Sequence, residues 1–135
     1  MAENVLVRRL DPASTMLVAS ATRPAGVGVE IEPGQWLIDG DARPLDATLV
    51  LDMRDAYVGF AVTGDEADAL LAQGMALDFA RLAPDFAGRA KLGEIAVLID
   101  RWPGGWRVRC ERSYAEWLAG WFARAAALMS STGGI

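Results

Sequence analysis

The run Tyr57-Val58-Gly59-Phe60-Ala61-Val62-Thr63-Gly64-Asp65-Glu66-Ala67-Asp68-Ala69-Leu70-Leu71-Ala72-Gln73-Gly74 decides the fold class. Its first half places Val58, Phe60 and Val62 on one face, the alternation of a half-buried strand. Its second half switches to helical spacing, with Ala67, Leu70 and Leu71 as the buried stripe, and the helix is expected to run to about Gln73. Between them, Thr63-Gly64-Asp65-Glu66 has the form of a capping box, in which the Thr63 hydroxyl and the Glu66 carboxylate satisfy each other's backbone amides. Gly74 stands where a left-handed residue closes a helix. A strand feeding directly into a helix, with further strands downstream, predicts an α+β domain.

Moving toward the C-terminus, residues 75–90 read as irregular, pinned by Leu77, Phe79, Leu82 and Phe86 and broken by Pro84. Lys91 to Trp102 reads as one long strand, apolar on both faces and therefore covered on both sides. Pro103-Gly104-Gly105 is a turn. Trp106 to Glu111 then alternates, with Trp106, Val108 and Cys110 opposite Arg107, Arg109 and Glu111. Ser113-x-x-Glu116 is a second capping box. It opens a helix carrying Tyr114, Trp117, Leu118, Trp121, Phe122, Ala125 and Leu128 at helical spacing.

Moving toward the N-terminus, Thr48 to Met53 is β-prone, and Gly40-Asp41-Ala42-Arg43-Pro44 is a loop. Pro33-Gly34 joins two strands, Val27 to Glu32 and Gln35 to Asp39, into a hairpin. Thr15 to Ala21 is a short strand. Residues 1–14 read as an extended arm broken at Asp11-Pro12, because the residue before proline avoids the helical region. Residues 131–135 read as a frayed tail. The expectation is one small domain over 15–130, mainly antiparallel sheet with two main helices.

Composition narrows the function. A chain of 135 residues has the length of one domain. Its hydrophobic content is 53%, above the usual range of about 45–50%. That excess reflects either abundant alanine or an apolar face hidden against another protein. The formal charge of −5 and the lone lysine, Lys91, argue against nucleic acid, which needs clustered cations. The lone Cys110 forms no internal disulfide. No signal peptide is evident at Met1-Ala2-Glu3-Asn4, and no apolar run reaches the roughly 20 residues of a membrane span. A cytoplasmic protein without a membrane partner is expected.

The sequence holds no histidine, which removes Ser-His-Asp and Cys-His catalysis and imidazole-bearing zinc sites. No glycine-rich phosphate cradle occurs. Cys110, pointing with Trp106 and Val108, reads as a small buried hydrophobe. Asp65, Glu66 and Asp68 complement a helix dipole, and Asp52 and Asp55 beside Arg54 read as turn and surface residues.

Two features rise above this background. The rings Tyr114, Trp117, Trp121 and Phe122 share one helix, and Trp36, Trp102 and Trp106 lie elsewhere. So small a core does not easily enclose five tryptophans, so at least one is expected at a partner surface. The arginines Arg101, Arg107, Arg109 and Arg112 lie on or beside one hairpin, either solvated or docking on a neighbour's carboxylates. The candidate interface is therefore Trp117, Trp121, Tyr114, Arg107 and Arg109, with no catalytic, cofactor-binding or metal-binding residue.

Taken in order, several stretches resemble the gamma subunit of heterotetrameric sarcosine oxidase. They are Pro33-Gly34-Gln35-Trp36-Leu37-Ile38, Asp52 through Ala67, Leu70-Leu71-Ala72-Gln73-Gly74 with Leu77-Asp78, and Arg112-Ser113-Tyr114-Ala115-Glu116-Trp117-Leu118. The resemblance spans residues 25–129. The chain departs from the family in a trimmed connection between Trp36-Leu37 and Leu51-Asp52, in Met75-Ala76 where a cysteine is frequent, and in Arg54 for a small hydroxyl residue.

The resemblance implies the fold of the folate-binding, aminomethyltransferase-like superfamily. It implies an accessory chain packed on a larger alpha subunit. In such a complex the alpha and beta subunits hold FAD, FMN and NAD, oxidise the N-methyl group of sarcosine and pass the one-carbon unit to tetrahydrofolate. The gamma-type chain binds no cofactor of its own. The rival readings are a small folate or pterin binder using tryptophan stacking, and an unrelated α+β domain forming a homodimer through its last helix.

Overall fold

The computed structural model describes residues 5–12, 15–20, 28–40, 47 and 49–133, the side chains of 130–133 excepted. Two antiparallel sheets and two helices make up the fold. The first sheet has five strands, ordered β1 (Leu6–Arg9), β6 (Tyr57–Thr63), β9 (Gly105–Glu111), β8 (Ile95–Trp102) and β7 (Ala87–Leu92). The second has four, ordered β3 (Gly28–Glu32), β4 (Gln35–Asp39), β2 (Thr15–Ala19) and β5 (Leu49–Asp52). Helices α1 (Ala67–Ala72) and α2 (Ala115–Gly133) touch each other and β9.

The alternation read from the sequence sorts side chains between the two faces of the first sheet. Val58, Phe60 and Val62 of β6, Trp106, Val108 and Cys110 of β9, and Val97 and Ile99 of β8 meet Leu70, Leu71, Leu118 and Phe122 of the helices in the main core. Phe122 lies against Phe60 with ring centroids 5.4 Å apart. Trp106 is enclosed, with Phe79 edge-on at 5.5 Å, and its indole N–H donates to Asp68 Oδ1 at 2.7 Å. That bond satisfies the one polar group a tryptophan carries into a core. On the opposite face Leu98 packs on Val29 and Leu37 of the second sheet. A third cluster, Met16, Val18 and Ile38, lies on the second sheet's other face, supported by Trp36, Ala47 and Val50. The fold is thus the small α+β domain expected, mainly antiparallel, with one short and one long helix.

Several boundaries differ from expectation for local reasons. The stretch expected as an arm contains β1, whose Leu6–Arg9 pairs antiparallel with Thr63–Phe60. The long strand expected over Lys91–Trp102 is two strands: β7 and β8 form a hairpin about Gly93-Glu94, with Leu92 opposite Ile95. Gly93 has φ +58, the left-handed region that suits glycine at a tight turn. The stretch expected as irregular contains a 3-10 turn, Phe79–Arg81, and the start of β7.

Neither capping box forms as drawn. Thr63 stays in β6 opposite Gly105, and the helix starts from Glu66 with no side-chain cap. The last helix is entered through a 3-10 turn, Arg112–Tyr114, while Glu116 accepts a hydrogen bond from Arg9 Nη1 at 3.4 Å. The last helix continues through Gly133, into the stretch expected as a frayed tail; residues 134–135 lie outside the described residues. Also outside them are residues 1–4 of the expected arm, 41–44 of the expected loop, and the strand-end residues Ala21, Val27 and Thr48.

Candidate functional site

The rings of the last helix divide between core and surface. Phe122 is buried, Trp121 is half-buried, and Trp117 and Tyr114 are 39% and 43% exposed. Trp121 rests on the segment leaving α1: a Cβ built on Gly74 would fall 2.5 Å from its Cζ2. Gly74 therefore serves close approach rather than the left-handed closure expected, and its φ is not positive. Gln73 Nε2 donates to the Ala125 carbonyl at 3.3 Å and ties the end of α1 to α2. Trp117 lies over the β7–β8 turn, its Cη2 3.2 Å from where a Cβ on Gly93 would stand. One face of its indole meets this turn and the side chain remains accessible.

Arg107 and Arg109 point the other way, into the space between the sheets, and are 8% and 5% exposed. Arg107 Nε donates to Asp100 Oδ1 at 2.9 Å, and its Nη2 bridges Asp100 Oδ2 and Asp39 Oδ2, the latter at 2.7 Å. Arg109 Nη1 donates to Asp39 Oδ1 at 3.1 Å. The carboxylates that face these arginines thus come from β8 and β4 of the same chain. Burial alone would lower the Arg107 guanidinium, but its bonds to Asp100 and Asp39 hold it above its ordinary value. Arg109 shifts down, through burial first and the neighbouring Arg107 charge second. Both stay cationic, as arginine does in proteins.

Sequence reading missed Asp39 and Asp100 as the partners. A signal was present: Asp100 ends the apolar run Ile95–Ile99 and lies opposite Arg107 across the Pro103-Gly104 turn. Of the other arginines, Arg101 lies 3.9 Å over the Trp106 ring and donates to the carbonyls of Leu82 and Ala83. Arg112 Nε donates to the Asp55 carbonyl at 2.7 Å.

Cys110 is enclosed in the main core, and burial pushes its thiol up to about 11. A thiol held protonated and enclosed is a poor nucleophile. Among the described residues no group of three or more metal-ligating side chains is assembled, and no helix is long and apolar enough to cross a membrane.

These features define a class: a helix pair on a five-stranded antiparallel sheet, a second sheet behind it, and two exposed rings on the longer helix. No protein-family model and no curated protein sequence matches the chain. The fold itself recurs in heterotetrameric sarcosine oxidase from Corynebacterium sp. U-96, solved in complex with pyrrole 2-carboxylate. The TM-score is 0.79 at 16% identity, and the match covers 93% of this chain and 85% of that one. The likeness is one of fold, and it bears out the resemblance to the gamma subunit of such an oxidase drawn from the sequence.

Proposed function

We propose that this chain is an accessory, non-catalytic subunit of a sarcosine-oxidase-like complex. In that complex larger alpha- and beta-type subunits carry FAD, FMN and NAD, oxidise an N-methyl amine and deliver the one-carbon unit to tetrahydrofolate. The observation that carries the reading is the fold shared with an oxidase chain over 93% of this one. Two further features support it. The sequence brings no histidine, and its one thiol is enclosed and protonated, which removes the commonest general base and the thiolate nucleophile. Tyr114, in the 3-10 turn before α2, and Trp117, in its first turn, leave large rings accessible, the residue types enriched where proteins meet.

The test is co-expression with the alpha- and beta-type subunits encoded in the same genome, followed by size exclusion and an N-methyl amine oxidation assay. The expected outcome is co-elution with the oxidase in fixed ratio. An oxidase that assembles and turns over fully without this chain, while the chain elutes alone and folded, overturns the assignment.

A further inference from the structure

A cleft of about 550 Å³ opens between β1, β6, β9 and the segment after β5. It is lined by Arg8, Arg9, Arg54, Arg107, Arg109 and Arg112, with Asp11 as the one acidic residue on its wall. Six of the chain's 13 arginines and lysines therefore line one concavity in a protein of net charge −5. Tyr57, Leu10 and Trp102 give the wall an apolar part. Gly59 keeps the floor low: a Cβ there would stand 3.4 Å from Arg109 Cγ and 3.5 Å from Leu10 Cδ1.

The arginines fall into two sets. Arg107 and Arg109 form the rigid floor, locked by Asp39 and Asp100. The rim is held by weaker ion pairs. Arg112 keeps its Nε on the Asp55 carbonyl at 2.7 Å, while its Nη2 reaches the exposed Asp55 carboxylate only at 3.9 Å. Arg9 meets an exposed Glu116 at 3.4 Å. Exposed pairs of this kind contribute little and yield easily to a better acceptor. Arg8 has no acidic partner among the described residues, and Arg109 Nε, buried, finds no acceptor among them. Forked donors on the rim, above a floor whose two guanidiniums are fixed in place by Asp39 and Asp100, match a ligand that presents several oxyanion oxygens at once. The volume lies within the range of about 300–1,000 Å³ usual for small-molecule sites.

We propose that this cleft is a binding site for a small polyanion, bearing two or more carboxylate or phosphate groups, seated on the Arg107–Arg109 floor and clamped by Arg8 and Arg112. The site lies within this chain alone and does not depend on the oxidase assignment. The test is calorimetric titration of the isolated full chain with pyrophosphate and with citrate, at low and at near-physiological salt. One-to-one saturable binding of at least one probe is expected, weakening as salt screens the cleft. The preferred probe tells phosphate from carboxylate.

Arg8→Glu and, separately, Arg112→Gln each weaken binding at least tenfold. Arg81→Glu, outside the cleft, leaves it unchanged. Both cleft positions are solvent-facing, and unchanged thermal unfolding shows that the variants remain folded. Absence of saturable binding by either probe, or equal binding by Arg8→Glu, overturns the proposal. Binding of a polyglutamate peptide with no response to the small anions also overturns it and assigns the cleft to an acidic segment of a protein.

Discussion

Gly74 is the position where a single methyl group decides the fit between the helices. Its missing Cβ leaves room for the Trp121 ring, whose three nearest atoms would lie 2.5, 3.1 and 3.3 Å from an added carbon. A rigid indole wedged between α2 and the segment leaving α1 cannot rotate away as a long aliphatic chain does. Gly74→Ala is therefore expected to destabilise the chain by about 1–3 kcal/mol, the cost of overpacking, read as a lower urea midpoint at unchanged slope. Cys110 sets a second expectation at this scale. Its folded value is raised from 9.0 to about 11, so between these limits the folded chain holds a proton that the unfolded chain has lost. Stability is then complete below pH 9 and falls as pH rises toward 11. Tyr57, raised by burial and by Glu111, adds to the alkaline loss in the same direction. Cys110→Ala is expected to lower the melting temperature near neutral pH and to flatten its decline between pH 9 and 10.5, which a series of thermal melts checks.

At the scale of elements, the pairing of β8 with β9 and the crossing of β4 behind them create the buried charge cluster. Asp100→Ala leaves Arg107 enclosed with Asp39 alone and is expected to cost about 3–5 kcal/mol, whereas Asp100→Leu with Arg107→Met costs much less. Chemical denaturation of the two variants checks the difference. By the same reasoning, reversing Arg107 and Arg109 to glutamate unfolds the chain. The sequence led to a different expectation, arginines either solvated or docking on a neighbour's carboxylates, because alternation shows which side of a strand a residue takes but not what covers that side. The polar side of β9 is covered by the second sheet, and that stacking is a long-range contact. Strands with clear alternation, such as β6 and β9, were legible, as was the hairpin at Pro33-Gly34. The hairpin at Gly93-Glu94 was not, because Lys91-Leu92-Gly93-Glu94 carries a single glycine between residues that suit a strand. The capping box at Thr63 misled because β6 keeps pairing with β9 through Thr63 opposite Gly105, and the strand ladder overrides the local cap.

Across the whole molecule, the apolar excess is distributed unevenly. Trp106 and Phe122 fill the main core, Trp121 seals the seam between the helices, and Trp117 and Tyr114 face outward at the start of α2 and in the turn before it. The sequence showed that not every ring could be internal; it did not show which, because Trp117 and Trp121 are one helical turn apart and differ only in what lies beneath them. Beneath Trp121 is Gly74, in the seam, and beneath Trp117 is Gly93, at the rim of the sheet. That difference separates stability from assembly. Trp121→Ala is expected to lower stability by up to about 3–5 kcal/mol, as large-to-small changes do at buried sites, and to reduce assembly only through loss of folded chain. Trp117→Ala is expected to leave the unfolding midpoint nearly unchanged and to weaken association with the proposed larger subunit by more than 1 kcal/mol, the threshold that marks an anchoring residue. Tyr114→Ala, one turn away on the same exposed side, should follow Trp117 with a smaller effect. Unfolding curves of the isolated variants and equilibrium binding to the alpha-type subunit measure the two quantities independently. A Trp117→Ala chain that assembles with wild-type affinity would place the docking surface elsewhere on the fold, with the exposed Leu49 and Leu51 of edge strand β5 the next face to mutate.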